Sequence, residues 1–172
     1  HSGMLPLLLD VYPMAKVVTN EVCKGLLVEM HNLYEMDDRF IIVGQDDTLD
    51  LGGKTLKFYL APWVHWPDTM FAEVVEDKVL FTSDFLGTHY ASETLFQNDD
   101  LPDYLEAAKR YYAAIMMPFR GSVREYLELV KTIDPKIIAP SHGPVLQMPA
   151  KIVDLYADWA SETPKNKVVV AY

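Results

Sequence analysis

The chain has 172 residues, half of them hydrophobic and 23% charged, which suits one domain with a sizeable core. Its formal net charge of −10 argues against nucleic acid as a partner, because phosphate binding needs clustered Lys and Arg. The single cysteine, Cys23, rules out an internal disulfide, and no apolar run approaches the roughly 20 residues of a membrane helix, so the expectation is a cytoplasmic protein with no membrane partner.

Residues 3–9 predict a short helix and Lys16–Val18 a short strand. A helix follows through Leu26 to His31, with Thr19 or Asn20 as its N-cap. Five strand-like runs come next: Phe40–Val43, Thr48–Leu51, Thr55–Leu60, Met70–Val75 and Val79–Thr82. Gln45-Asp46-Asp47, Gly52-Gly53 and Glu76-Asp77 separate them, so the stretch predicts a meander of antiparallel pairs. Pro102 suits the first turn of a helix that reaches about Met117 and is broken by Pro118 and Gly121. Ser122 and Glu125 form a capping-box pattern ahead of Val123, Tyr126, Leu127 and Val130. Lys136–Ala139 reads as a short apolar strand, and Pro149 opens a last helix that ends near Ala160. Ser161–Asn166 is a polar linker. The run from Lys167 to Tyr172 has the continuous β-branched character of a strand buried in a parallel sheet. The alternation predicts an α/β class. His1-Ser2-Gly3 carries no starter methionine, and the final run has no helix after it, so the expectation is an internal piece of a longer chain.

Three residues of metal-ligand type follow strand ends. His65 comes after the Thr55–Leu60 strand, Asp84 after Val79–Thr82, and His142 after Lys136–Ala139. Loops at strand ends are where α/β folds place their chemistry. Each residue also has an ordinary reading. A lone loop histidine is more often a surface or hydrogen-bonding group, Asp84 could simply cap a turn, and Pro140-Ser141-His142-Gly143-Pro144 could be only a rigid turn. His31, in a polar helical setting, is assigned no role. The stripe of Tyr104, Tyr111, Tyr112, Ile115 and Met116 is core at helical spacing, with Tyr111 or Tyr112 as the exception.

Ala139-Pro140-Ser141-His142-Gly143-Pro144, His65-Trp66-Pro67-Asp68-Thr69-Met70 and Ser83-Asp84-Phe85-Leu86-Gly87-Thr88-His89 together resemble the flavodiiron proteins. These are A-type flavoproteins with a metallo-β-lactamase-like domain followed by a flavodoxin-like domain. His1–Pro6 resembles the stretch after the family's first ligand cluster, Tyr111–Phe119 the helix that lines its pocket, and Val168–Tyr172 the first flavodoxin-like strand. The resemblance implies an αββα sandwich, lacking its N-terminal part, over residues 1–160. A linker at 161–166 and the start of the second domain at 167–172 would follow.

The resemblance also implies roles. His65 would ligate one iron, His142 the other, and Asp84 would bridge them. His1 matches a histidine that in the family is sometimes a ligand and sometimes displaced by water. Tyr112 would flank the open face of the metal pair and donate a hydrogen bond to bound oxygen or nitric oxide, with Tyr111 as the neighbouring choice. His89 and Trp66 would be pocket residues. FMN would pass electrons to two irons that reduce dioxygen to water or nitric oxide to nitrous oxide. A rubredoxin-like donor and a head-to-tail homodimer would be the partners. The family's His-x-Glu-x-Asp cluster does not occur in this sequence, so the site implied here lacks up to three ligands. Two other readings compete: a zinc-dependent hydrolase of the metallo-β-lactamase superfamily, and a piece inactive by itself. Against the hydrolase, Trp66-Pro67-Asp68 replaces the Thr-Pro-Gly turn usual after the matching histidine.

Overall fold

Two strands of the computed structural model, β1 (Val17–Thr19) and β2 (Phe40–Ile42), pair in parallel, Val17 opposite Phe40. Parallel neighbours need a crossover, and helix α2 (Glu21–His31) provides it. This corrects the expected antiparallel meander, which begins only after β2. A short helix, α1 (Leu5–Val11), precedes β1. Asn20 caps α2, its side chain accepting from the Cys23 N–H at 2.9 Å, and Asn32 ends the helix in the left-handed region at φ 55°. The structure describes residues 1–97 and 102–162. The strand expected at 167–172 and the linker from 163 onward lie outside the described residues.

The second sheet has five strands in the order β3 (Thr48–Asp50), β4 (Thr55–Leu60), β5 (Met70–Val74), β6 (Val79–Phe81) and β7 (Ile137–Ala139). The first four form the antiparallel meander that the turn residues predict, and β7 then joins β6 in parallel, with Phe81 opposite Ala139. Phe71, Leu80 and Ile138 point from this sheet into one core with Val123, Leu127, Val130 and Tyr156. Those partners belong to α4 (Arg120–Ile133) and α5 (Ala150–Ala160). Phe71 stacks on Phe85 at 5.6 Å between ring centroids.

The third helix differs from expectation. α3 (Pro102–Tyr111) does not stop at Pro118 but continues through a π-turn over Tyr112–Met116 and a 3-10 turn over Met117–Phe119 into α4. Pro118 sits in the first turn of that 3-10 segment, where no N–H is required. The Ser122–Glu125 capping box does not form, because α4 begins at Arg120 behind Phe119, which makes no side-chain cap. Ser122 is already inside the helix. No helix among the described residues is long and apolar enough to cross a membrane.

Candidate metal centre

Sheet topology puts three chain segments at one edge. β4 and β6 each run antiparallel to β5, so they share a direction, and β7 runs with β6. Their C-terminal ends therefore emerge together. Asp84 and His142 follow Phe81 and Ala139, the last paired residues of β6 and β7, by the same number of positions. The pairing carries on into the loops. The Ser141 N–H donates to the Ser83 carbonyl at 2.7 Å, and the Thr88 N–H donates to the His142 carbonyl at 3.1 Å. Ser83 and Leu86 adopt positive φ, 53° and 63°, an uncommon conformation for side-chain-bearing residues. The Thr82 hydroxyl holds this turn by donating to the Phe85 carbonyl at 2.7 Å. Gly143 has φ 82°, and a Cβ there would lie 2.6 Å from Thr88 Cγ2 and 2.7 Å from the Thr88 carbonyl oxygen. Only glycine lets the His142 loop lie this close to the Asp84 loop.

His65 comes from the β4–β5 connection. The loop closes through Ala61 N–H to the Thr69 carbonyl at 2.9 Å and Trp63 N–H to the Trp66 carbonyl at 2.8 Å. The buried Thr69 adds its hydroxyl to the Trp66 carbonyl at 3.0 Å.

The segments meet at Asp84, whose side chain is only 13% exposed. Its Oδ2 faces His65 Nε2 at 3.2 Å. Its Oδ1 faces His142 Nε2 at 3.4 Å and His1 Nε2 at 3.6 Å. The two imidazole nitrogens on the Oδ1 side, of His1 and His142, are 2.9 Å apart. Among the described residues, His1, Asp84 and His142 form a cluster of metal-type donors within 4.8 Å of one another. Asp84 Oδ1 is buried with no hydrogen-bond partner in the described structure. Native proteins rarely leave a buried acceptor unmatched, and a carboxylate with imidazoles on both sides is a donor set that suits paired first-row metals. These residues fit a metal pair.

A cavity of about 740 Å³ opens over the cluster. His1, His65, Asp84 and His142 line it together with Leu5, Leu8, Leu26, Met30 and Ile115. Tyr111 lies in this lining, whereas Tyr112, expected at the open face, does not. Tyr112 packs in the core on Tyr156 and Trp159, at centroid distances of 5.2 and 5.5 Å. Tyr111 closes α3 and Tyr112 opens the π-turn. The Tyr111 hydroxyl donates to the Asp84 carbonyl at 3.0 Å. Burial, reinforced by the Asp84 charge, pushes its pKa well up, so it stays a neutral donor.

His89 sets its ring edge-on to Tyr111 at 4.9 Å and to His142 at 5.5 Å. It lines a neighbouring cavity with Asp103, Glu106 and Arg110. Trp66 is exposed at the rim, edge-on to His65 at 6.3 Å. His31, given no role from sequence, is 2.8 Å from the Ser2 hydroxyl through Nε2 and so fastens the residue beside His1. Asn20 was legible only as a cap, yet its amide also reaches the His65 loop, donating to the Asp68 carbonyl at 2.7 Å.

The ODP family beta lactamase model matches residues 2–143. A flavo-diiron protein of Clostridium acetobutylicum is 42% identical over 149 residues, covering 85% of this chain and 37% of its own length. A nitric oxide reductase of Moorella thermoacetica is 34% identical over 176 residues, covering all of this chain and 44% of its own. The structure of rubredoxin oxygen:oxidoreductase from Desulfovibrio gigas superposes with a TM-score of 0.88 at 27% identity, over 96% of this chain and 42% of that one. The chain thus spans less than half the length of these relatives. It belongs to the ODP beta-lactamase family, and the relatives that share its metallo-β-lactamase-like core are flavodiiron proteins.

Proposed function

We propose that this chain holds a two-iron centre and serves an oxidoreductase that reduces dioxygen to water or nitric oxide to nitrous oxide with electrons from FMN. One observation carries the reading: the Asp84 carboxylate presents one oxygen to His65 and the other to His142 and His1. A single shared carboxylate between two sets of imidazoles is how a protein holds two metals as a pair. Two of the relatives quoted above are named as a nitric oxide reductase and an oxygen:oxidoreductase, which favours electron transfer over zinc-dependent hydrolysis.

When bound, the iron pair supplies the redox change that side chains cannot. The chain's own residues bind and orient. His142 and His1 would hold one iron and His65 the other, with Asp84 common to both. Remaining ligands would come from the His-x-Glu-x-Asp cluster that the resemblance implies. Tyr111 fixes the Asp84 backbone from the cavity side. FMN on a flavodoxin-like domain, a rubredoxin-like donor, a head-to-tail homodimer and a cytoplasmic location complete the proposal.

The test is the iron content of Asp84→Ala in the full-length protein. Loss of a shared ligand costs at least the roughly 10–100-fold in affinity that loss of an outer-shell partner costs, so bound iron falls well below the wild-type level. Retention of both irons refutes the bridging role, and zinc with esterase turnover in the wild type refutes the oxidoreductase.

A further inference from the structure

We infer that Asn20 is a positioning residue for His65, a role separate from its capping of α2. The inference rests on the reading of His65 as a metal ligand. Asn20 is 6% exposed and uses both ends of its amide. The Oδ1 accepts from the Cys23 N–H at 2.9 Å and starts α2. The Nδ2 donates to the Asp68 carbonyl at 2.7 Å, across 48 positions of sequence. That carbonyl belongs to the returning limb of the β4–β5 loop, between His65 and the buried Thr69.

Three bonds within the loop close it on itself: Ala61 to Thr69, Trp63 to Trp66, and Thr69 to Trp66. They fix its shape, while its attitude toward Asp84 is held from outside the loop, by the His65 Nε2 contact with Asp84 Oδ2 at 3.2 Å and by the bond from Asn20. Asn20 ties the limb to the unit of β1, α2 and β2, a different sheet from the one that carries Asp84. The Cys23 thiol sits at the same junction. Burial raises its pKa, a Thr19 hydrogen bond opposes this, and the neighbouring Asp68 carboxylate adds to the rise. Outer contacts that aim a ligand commonly tune metal affinity by roughly 10–100-fold.

Asn20→Asp separates the two roles. Aspartate is as good an N-cap as asparagine, but it cannot donate to the Asp68 carbonyl. In the iron-loaded full-length protein, Asn20→Asp should speed chelator-driven release of one iron by roughly tenfold and change the Mössbauer doublet of that iron alone. The thermal midpoint reports any general loss of fold, which would release both irons together. Wild-type release and an unchanged doublet would mean that Asn20 only caps the helix, and so would equal loss of both irons; either result overturns the inference. His65→Ala is the control. If it leaves both irons bound, His65 is not a ligand and the underlying reading fails. If it loses the iron while Asn20→Asp does not, the positioning role alone fails.

Discussion

At the residue scale, the Asp84 backbone and side chain are held by different means. The carboxylate is faced by imidazoles, while the carbonyl takes the Tyr111 hydroxyl at 3.0 Å. The adjacent Tyr112 hydroxyl is buried and has no hydrogen-bond partner in the described structure. Removing a satisfied hydroxyl typically costs about 1 kcal/mol, whereas removing an unsatisfied one is neutral or favourable. Tyr111→Phe should therefore lower stability by about 1 kcal/mol and weaken iron retention. Tyr112→Phe should leave the denaturant midpoint unchanged or raised. Urea titration of both variants checks this, and the reverse ranking would contradict the assignment. Sequence narrowed the choice to this pair and no further. Both fall on the apolar stripe of the helix, and which of them meets Asp84 depends on how the helix packs on the sheet.

At the scale of elements, β6 and β7 place Asp84 and His142 side by side because parallel pairing aligns both exits. The exits stay together through the Thr88 N–H on the His142 carbonyl and the absence of a Cβ at Gly143. Gly143→Ala would force a contact below 3 Å on backbone as well as side chain, at a positive φ that costs roughly 1–3 kcal/mol for other residues. The variant should show a lower thermal midpoint and reduced iron content. Wild-type values for both would show that the loop can yield.

The antiparallel part of the sheet was legible because Gly52-Gly53 and Glu76-Asp77 mark its turns locally. The β1–β2 pairing was not, since a parallel partner lies beyond a whole helix and leaves no local mark. The capping pattern at Ser122 misled because the chain was already helical before it reached that serine.

On the scale of the whole molecule, the site draws on residues far apart in the chain and exists only once both sheets are in place. His1 and His142 approach to 2.9 Å across 141 positions, and Asn20 reaches Asp68 from the other sheet. Strand-end positions made His65, Asp84 and His142 visible as candidates. Their convergence, the two-sided use of Asp84 and the cavity above it depend on strand order, which sequence spacing does not encode. In the proposed centre Asp84 stands between two irons. Anomalous diffraction at the iron edge from crystals of the iron-loaded protein tests it directly. Two iron peaks are expected, one beside Asp84 Oδ2 and His65, the other beside Asp84 Oδ1 and His142. A single peak, or two peaks on the same side of Asp84, would contradict it.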